Sequence, residues 1–87
     1  MSLTLQRRMK LVNALRRRGV YVRWHAFEFL LGWRGRIAGV LLLEPLKKKS
    51  SLYCISFCEE LLGVVRESLK EAGFDGEFTA VRSTAGD

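Results

Sequence analysis

The chain has 87 residues, 48% of them hydrophobic and 28% charged, with a formal net charge of +6. That length allows one domain that hides only roughly 60% of its unfolded surface, so stability is marginal and a partner or dimer mate is expected. The balance of apolar and charged residues excludes a disordered chain. One histidine and two cysteines exclude a classical zinc finger and a multi-disulfide scaffold.

Residues 3–18 are predicted to be helical. Leu5, Met9, Leu11, Val12 and Leu15 recur at helical spacing and define the core side, and Gly19 is a natural stop. Val20 to Leu31 is rich in β-branched and aromatic residues and reads as one strand, buried on both faces or bent near His25. One face would carry Val20, Val22, Trp24, Ala26 and Leu30, the other Tyr21, Arg23, His25, Phe27 and Phe29. Gly32-Trp33-Arg34-Gly35 reads as a turn, and Ile37 to Leu43 as the returning strand, closed by Glu44-Pro45.

Lys47 to Ser51 is a polar connection and Leu52 to Ser56 a third strand. Ser56 and Glu59 match the capping box that opens a helix, here Phe57 to Ala72. Phe57, Cys58, Leu61, Leu62, Val65 and Leu69 form its apolar side. Gly73 would close it with Phe74 packed back on Leu69. Glu77 to Arg82 is a final short strand. The expected class is α+β: two helices on a small, mainly antiparallel sheet in the order α-β-β-β-α-β. The single domain spans residues 1–82, with 83–87 a frayed tail.

Glu28, Arg34 and Arg36 interrupt the longest apolar stretch, Ala26 to Leu43, so an ordinary membrane span is excluded. The N-terminus lacks the apolar core of a signal peptide. A cytoplasmic protein with no membrane association is expected. No catalytic triad spacing, cofactor motif or metal-ligand set stands out, and Cys54 and Cys58 read as buried thiols acting as small apolar groups.

Charge is unevenly divided along the chain. Residues 1–50 carry twelve Lys and Arg against Glu28 and Glu44, a net of +10, whereas residues 51–87 carry a net of −4. The basic residues cluster as Arg7, Arg8 and Lys10; Arg16, Arg17 and Arg18 with Arg23; Arg34 and Arg36; and Lys47, Lys48 and Lys49. Arginine grips phosphate through two hydrogen bonds and stacks on bases. Trp33, in a predicted turn beside Arg34 and Arg36, would offer a stacking ring. These twelve residues, Arg23 apart and Trp33 added, are the candidate nucleic-acid-binding set. The expected function is a basic DNA- or RNA-binding domain making phosphate contacts with little sequence specificity. The alternative is a non-catalytic structural or protein-interaction subunit acting as a homodimer or larger homo-oligomer.

Two resemblances rest on short motifs. Glu44 and Lys47 at a strand end, followed by a helix and a further strand, resemble the Holliday-junction resolvases and restriction-endonuclease-like nucleases. That resemblance implies acidic residues holding magnesium and a lysine supporting the attacking water. The sequence departs from it by one extra residue between Glu44 and Lys47, and Glu28 is the only acid where an upstream aspartate is expected, so a nuclease, degenerate at that, is the third reading. Gly32-Trp33-Arg34-Gly35 is similar to the GxxG backbone clamp of KH domains, which implies flanking helices and single-stranded nucleic acid as ligand.

Overall fold

The computed structural model describes residues 5–82. Helix α1 (Leu5–Arg17) leads into strands β1 (Tyr21–His25), β2 (Glu28–Trp33) and β3 (Arg36–Glu44). A 3-10 turn (Pro45–Lys47) then leads to β4 (Lys49–Cys54), helix α2 (Cys58–Glu71) and β5 (Glu77–Arg82). The strands lie in the order β1-β2-β3-β4-β5. The first four form an antiparallel meander, and β5 returns parallel to β4 through α2. The α+β class and the two helices agree with the sequence, but four strands, not three, precede α2. The predicted helix start at 3 and 4 and the predicted tail at 83–87 lie outside the described residues.

The extra strand comes from a turn the composition does not signal. Ala26 takes a left-handed φ of 55°, a position at which hairpins favour glycine. His25 pairs with Glu28 across it. The two turn residues reset the alternation of faces. Phe29 and Leu31 therefore join Val22 and Trp24 under the helices, while Leu30 faces away beside Arg23, the reverse of the expectation for that stretch. Arg34 and Gly35, both at positive φ, make the second hairpin turn. Gly32 to Gly35 is thus the hairpin end, and the helices of a KH arrangement are absent from either side of it. The third predicted strand also shifts: Lys49, Ser50 and Ser51 are its first residues, and Ile55 and Ser56 lie beyond it.

Both helices cover one face of the sheet. Their core side holds Leu11, Val12 and Leu15 from α1 and Leu61, Val65 and Leu69 from α2, packed on Val22, Phe29, Leu31, Leu41 and Leu52. Full burial of such a side chain is worth about 1.5–3 kcal/mol. Leu5 and Met9, expected in the core, are 55% and 49% exposed, because the apolar stripe of α1 narrows toward its first turn. α2 starts without its predicted capping box. Ser56 donates its hydroxyl to the Ile37 carbonyl instead, and Phe57, at a left-handed φ of 55°, occupies the cap position. The far end of α2 behaves as predicted. Gly73 accepts a φ of +86°, and the Phe74 amide donates to Leu69 O at 3.0 Å, the six-to-one bond of a Schellman ending.

Cys54, at the end of β4, and Cys58, in the first turn of α2, form a disulfide. This corrects the reading of both as free thiols. A strand end and a helix start brought together by a three-residue corner place their Cα atoms 5.7 Å apart, within bonding range.

The opposite sheet face carries no helix. Register sets Arg23, Leu30, Val40, Tyr53 and Val81 in one row across all five strands. Leu30, Val40 and Leu42 are half-buried on this face, whereas Tyr21, Tyr53 and Val81 are exposed.

Candidate nucleic-acid interface

α1 carries Arg7, Arg8, Lys10, Arg16 and Arg17 and not one acid, whereas α2 carries Glu59, Glu60, Glu67 and Glu71 against Arg66 and Lys70. The bipolar sequence therefore becomes a basic helix beside an acidic one. The two are tied where they meet: Glu71 accepts hydrogen bonds from both Arg17 and Arg18, the latter at 2.8 Å. The Arg17 bond foremost, then the Arg18 bond, holds the Glu71 carboxyl below the usual glutamate range.

The predicted basic residues separate into three groups in space. Arg7, Lys48 and Lys49 line one cleft of about 100 Å³ with Pro45, Ser50 and the Gly73–Gly76 turn, Asp75 included. The first helix and the lysine run are thereby brought together at one end of the sheet. Gly76 is what permits the close approach, since a Cβ there would overlap the Lys48 carbonyl, which instead accepts the Glu77 amide at 2.9 Å. Lys48 itself takes a left-handed φ of 49°, which turns the chain from the 3-10 turn into β4. Lys10 is exposed on α1 nearby in sequence, and Lys10, Lys48 and Lys49 make no ion pair among the described residues.

Arg34 and Arg36 sit at the other end of β3, whose nine residues extend about 26 Å. Arg34 pairs with Glu60 at 2.9 Å and lies 5.8 Å from the Phe57 ring centroid. Trp33 is half-buried against the core, packed near Gly19. It also lines a surface pocket with Tyr21, Arg34 and Arg36.

The third group serves the fold. Arg8 donates to Ala26 O at 2.8 Å and covers Phe27 and Trp24. Arg16 donates to Val22 O on the edge strand β1, and Arg17 and Arg18 hold Glu71. Lys47 reaches Glu44 at 3.6 Å across the 3-10 turn. That contact occupies the pair on which the nuclease resemblance rests. Among the described residues no three His, Cys, Asp or Glu converge as metal ligands, and no helix is long and apolar enough to cross a membrane.

Two structural features escaped the sequence. The uncovered sheet face depended on seeing the Ala26 turn, which decides the faces of β1 and β2. The disulfide was signalled by two cysteines four residues apart, but only with Cys54 on a strand end do they meet as a bonded pair. No family model, no curated protein and no solved structure matches this chain.

Proposed function

We propose that this chain is a non-catalytic nucleic-acid-binding domain that holds phosphates between α1 and the lysine turn. The observation that carries the reading is the cleft shared by Arg7, Lys48 and Lys49, flanked by an acid-free helix with Lys10 exposed. Separate basic clusters remote in sequence meet there, which gives a polyanion several cations within reach of successive phosphates. Lysines and arginines aimed at backbone phosphates read no base edges, so discrimination between sequences is weak. Arg34, Arg36 and Trp33 lie outside this surface.

The test is titration of labelled single-stranded and duplex DNA and RNA from about 50 to about 200 mM salt. Four phosphate contacts on a duplex give a slope near −3.6 in log K against log salt, about two orders of magnitude over that range. A flat response, or no binding at the lowest salt, removes the proposal.

A second reading concerns the helix-free sheet face. Around its apolar row stand Arg23 with Glu28, Glu44 and Glu77, and Lys49, which borders the Arg7 cleft, lies in register between the last two. Acids outnumber bases there, which disfavours a polyanion. The mix of both signs suits a second copy of the same face, where each cation can meet an acid of its mate. On location, a cytoplasmic reading has to accommodate the disulfide, which persists in oxidising compartments and in the cytosol of hyperthermophiles.

A further inference from the structure

We propose that Cys54 and Cys58 form a thiol–disulfide exchange site that oxidises a dithiol peptide. Three independent features of the pair support this. The two cysteines stand in unequal surroundings: both line the adjoining groove, but Cys54 is 3% exposed whereas Cys58 is only half-buried, so Cys58 is the more accessible to an incoming thiolate. Cys58 lies in the first turn of a 14-residue helix, where the unpaired amides and the helix dipole favour a thiolate. The pair itself lines a groove of about 180 Å³, together with Leu52, Leu62, Ala80 and Val81 and the charged Glu59 and Arg82. That groove lies along β5, whose outer edge pairs with no strand among the described residues. An extended, apolar segment carrying cysteines suits such a groove in shape and character.

The step balances with the disulfide as its own oxidant. A substrate thiolate attacks Cys58 Sγ, the Cys54–Cys58 bond breaks, and Cys54 leaves as a thiolate that takes a proton. The second substrate thiolate then attacks the substrate sulfur of the mixed disulfide and expels Cys58. Two substrate thiols become one disulfide, and the protein disulfide becomes two thiols. Glu59 and Glu60, also in the first turn of α2, oppose a thiolate at Cys58. The Arg34 guanidinium paired with Glu60 offsets part of that charge. A disulfide serving only to staple the corner between β4 and α2 has no need of an accessible sulfur or an adjoining groove.

The experiment uses the oxidised full chain and two probes: a short reduced peptide bearing two cysteines among apolar residues, and dithiothreitol. The expected result is stoichiometric oxidation of the peptide under native conditions, with dithiothreitol at equal concentration at least tenfold slower. Equal rates would show that the groove plays no part, and a disulfide left intact by the peptide overturns the proposal. Alkylation of the reduced wild-type protein, read by mass spectrometry across pH, supplies the second measurement without a substitution. Cys58 is expected to react at least tenfold faster than Cys54. Equal rates at the two sulfurs, or the faster rate at Cys54, contradict the assignment. In Cys54→Ser, Cys58 should displace pyridine-2-thione from a single-cysteine apolar peptide activated as its 2-pyridyl disulfide and hold that peptide as a mixed disulfide, and failure to do so in a folded variant counts against the proposal.

Discussion

Arg8 donates a hydrogen bond to the carbonyl of Ala26 at 2.8 Å while its guanidinium lies 4.4 Å from the Phe27 ring centroid. Two of the three groups are the turn itself, so a side chain from α1 fastens the hairpin that separates β1 from β2. An alanine held left-handed costs about 1–2 kcal/mol, and a charge-assisted hydrogen bond with a ring contact offsets a cost of that size. Arg8→Ala should therefore destabilise the fold by about 2 kcal/mol, lowering the melting temperature by roughly 10 °C. Lys10→Ala, on the exposed side of the same helix, should leave it unchanged. Equal melting temperatures for Arg8→Ala and the wild type would show that the turn holds without this clamp.

The same residue explains what was and was not legible in the sequence. α2 announced itself through the spacing of Leu61, Val65 and Leu69 and the Gly73-Phe74 ending, because a helix of that length records its partner face in its period. The turn at Ala26 left only the mixed faces that allowed a bend near His25: it holds no Gly, Asn or Pro, and its stabiliser comes from eighteen residues away. Arg8 was read as a phosphate ligand for the same reason, since a cation that clamps a turn and one that faces solvent look alike in a string of letters. Arg17, Arg18 and Arg34 followed suit. Their acidic partners, Glu71 and Glu60, lie far along the chain. The meeting of the Arg7 segment with Lys48 and Lys49 depends on topology, which sets the lysine turn beside α1 and leaves the Arg34 hairpin at the opposite end of β3.

Gly76 should tolerate no side chain. Its missing Cβ is the space that the Lys48 carbonyl fills. Gly76→Ala must push the turn off the lysine loop, at a cost of about 2 kcal/mol or more, and it should weaken nucleic-acid binding at temperatures where the protein remains folded. Gly63→Ala, where a Cβ meets nothing within 4 Å, serves as the control and should stabilise α2 by up to about 1 kcal/mol. Denaturant unfolding of the two variants checks both signs.

Acidification should loosen the tie between the helices. The Glu71 carboxyl is held below its ordinary value of 4.5, so its contribution is fully present above that pH and is lost as the pH falls through the lowered folded value. Glu71→Gln should reduce stability at neutral pH and flatten the loss of stability between about pH 5 and pH 3. If the two stability profiles run parallel across that range, Glu71 is not the titrating link.

The uncovered sheet face should control self-association. Val40 lies at its centre between Leu30 and Tyr53. If two copies meet there, sedimentation should show a concentration-dependent dimer that Val40→Glu converts to monomer while the far-ultraviolet spectrum is retained. A wild-type protein that stays monomeric throughout the micromolar range would dismiss this face as a dimer interface.

The phosphate-binding surface is tested most directly by the salt slope of variants. Lys10→Ala with Lys48→Ala removes two cations on the proposed surface and should lower the magnitude of the slope by about 1.4–1.8, with affinity falling for every sequence alike. Arg34→Ala with Arg36→Ala, at the opposite end of β3, should leave the slope where it is in the wild type. The contrary outcome, a slope that responds to the arginine pair and ignores the two lysines, would place the polyanion elsewhere on the molecule and contradict the account.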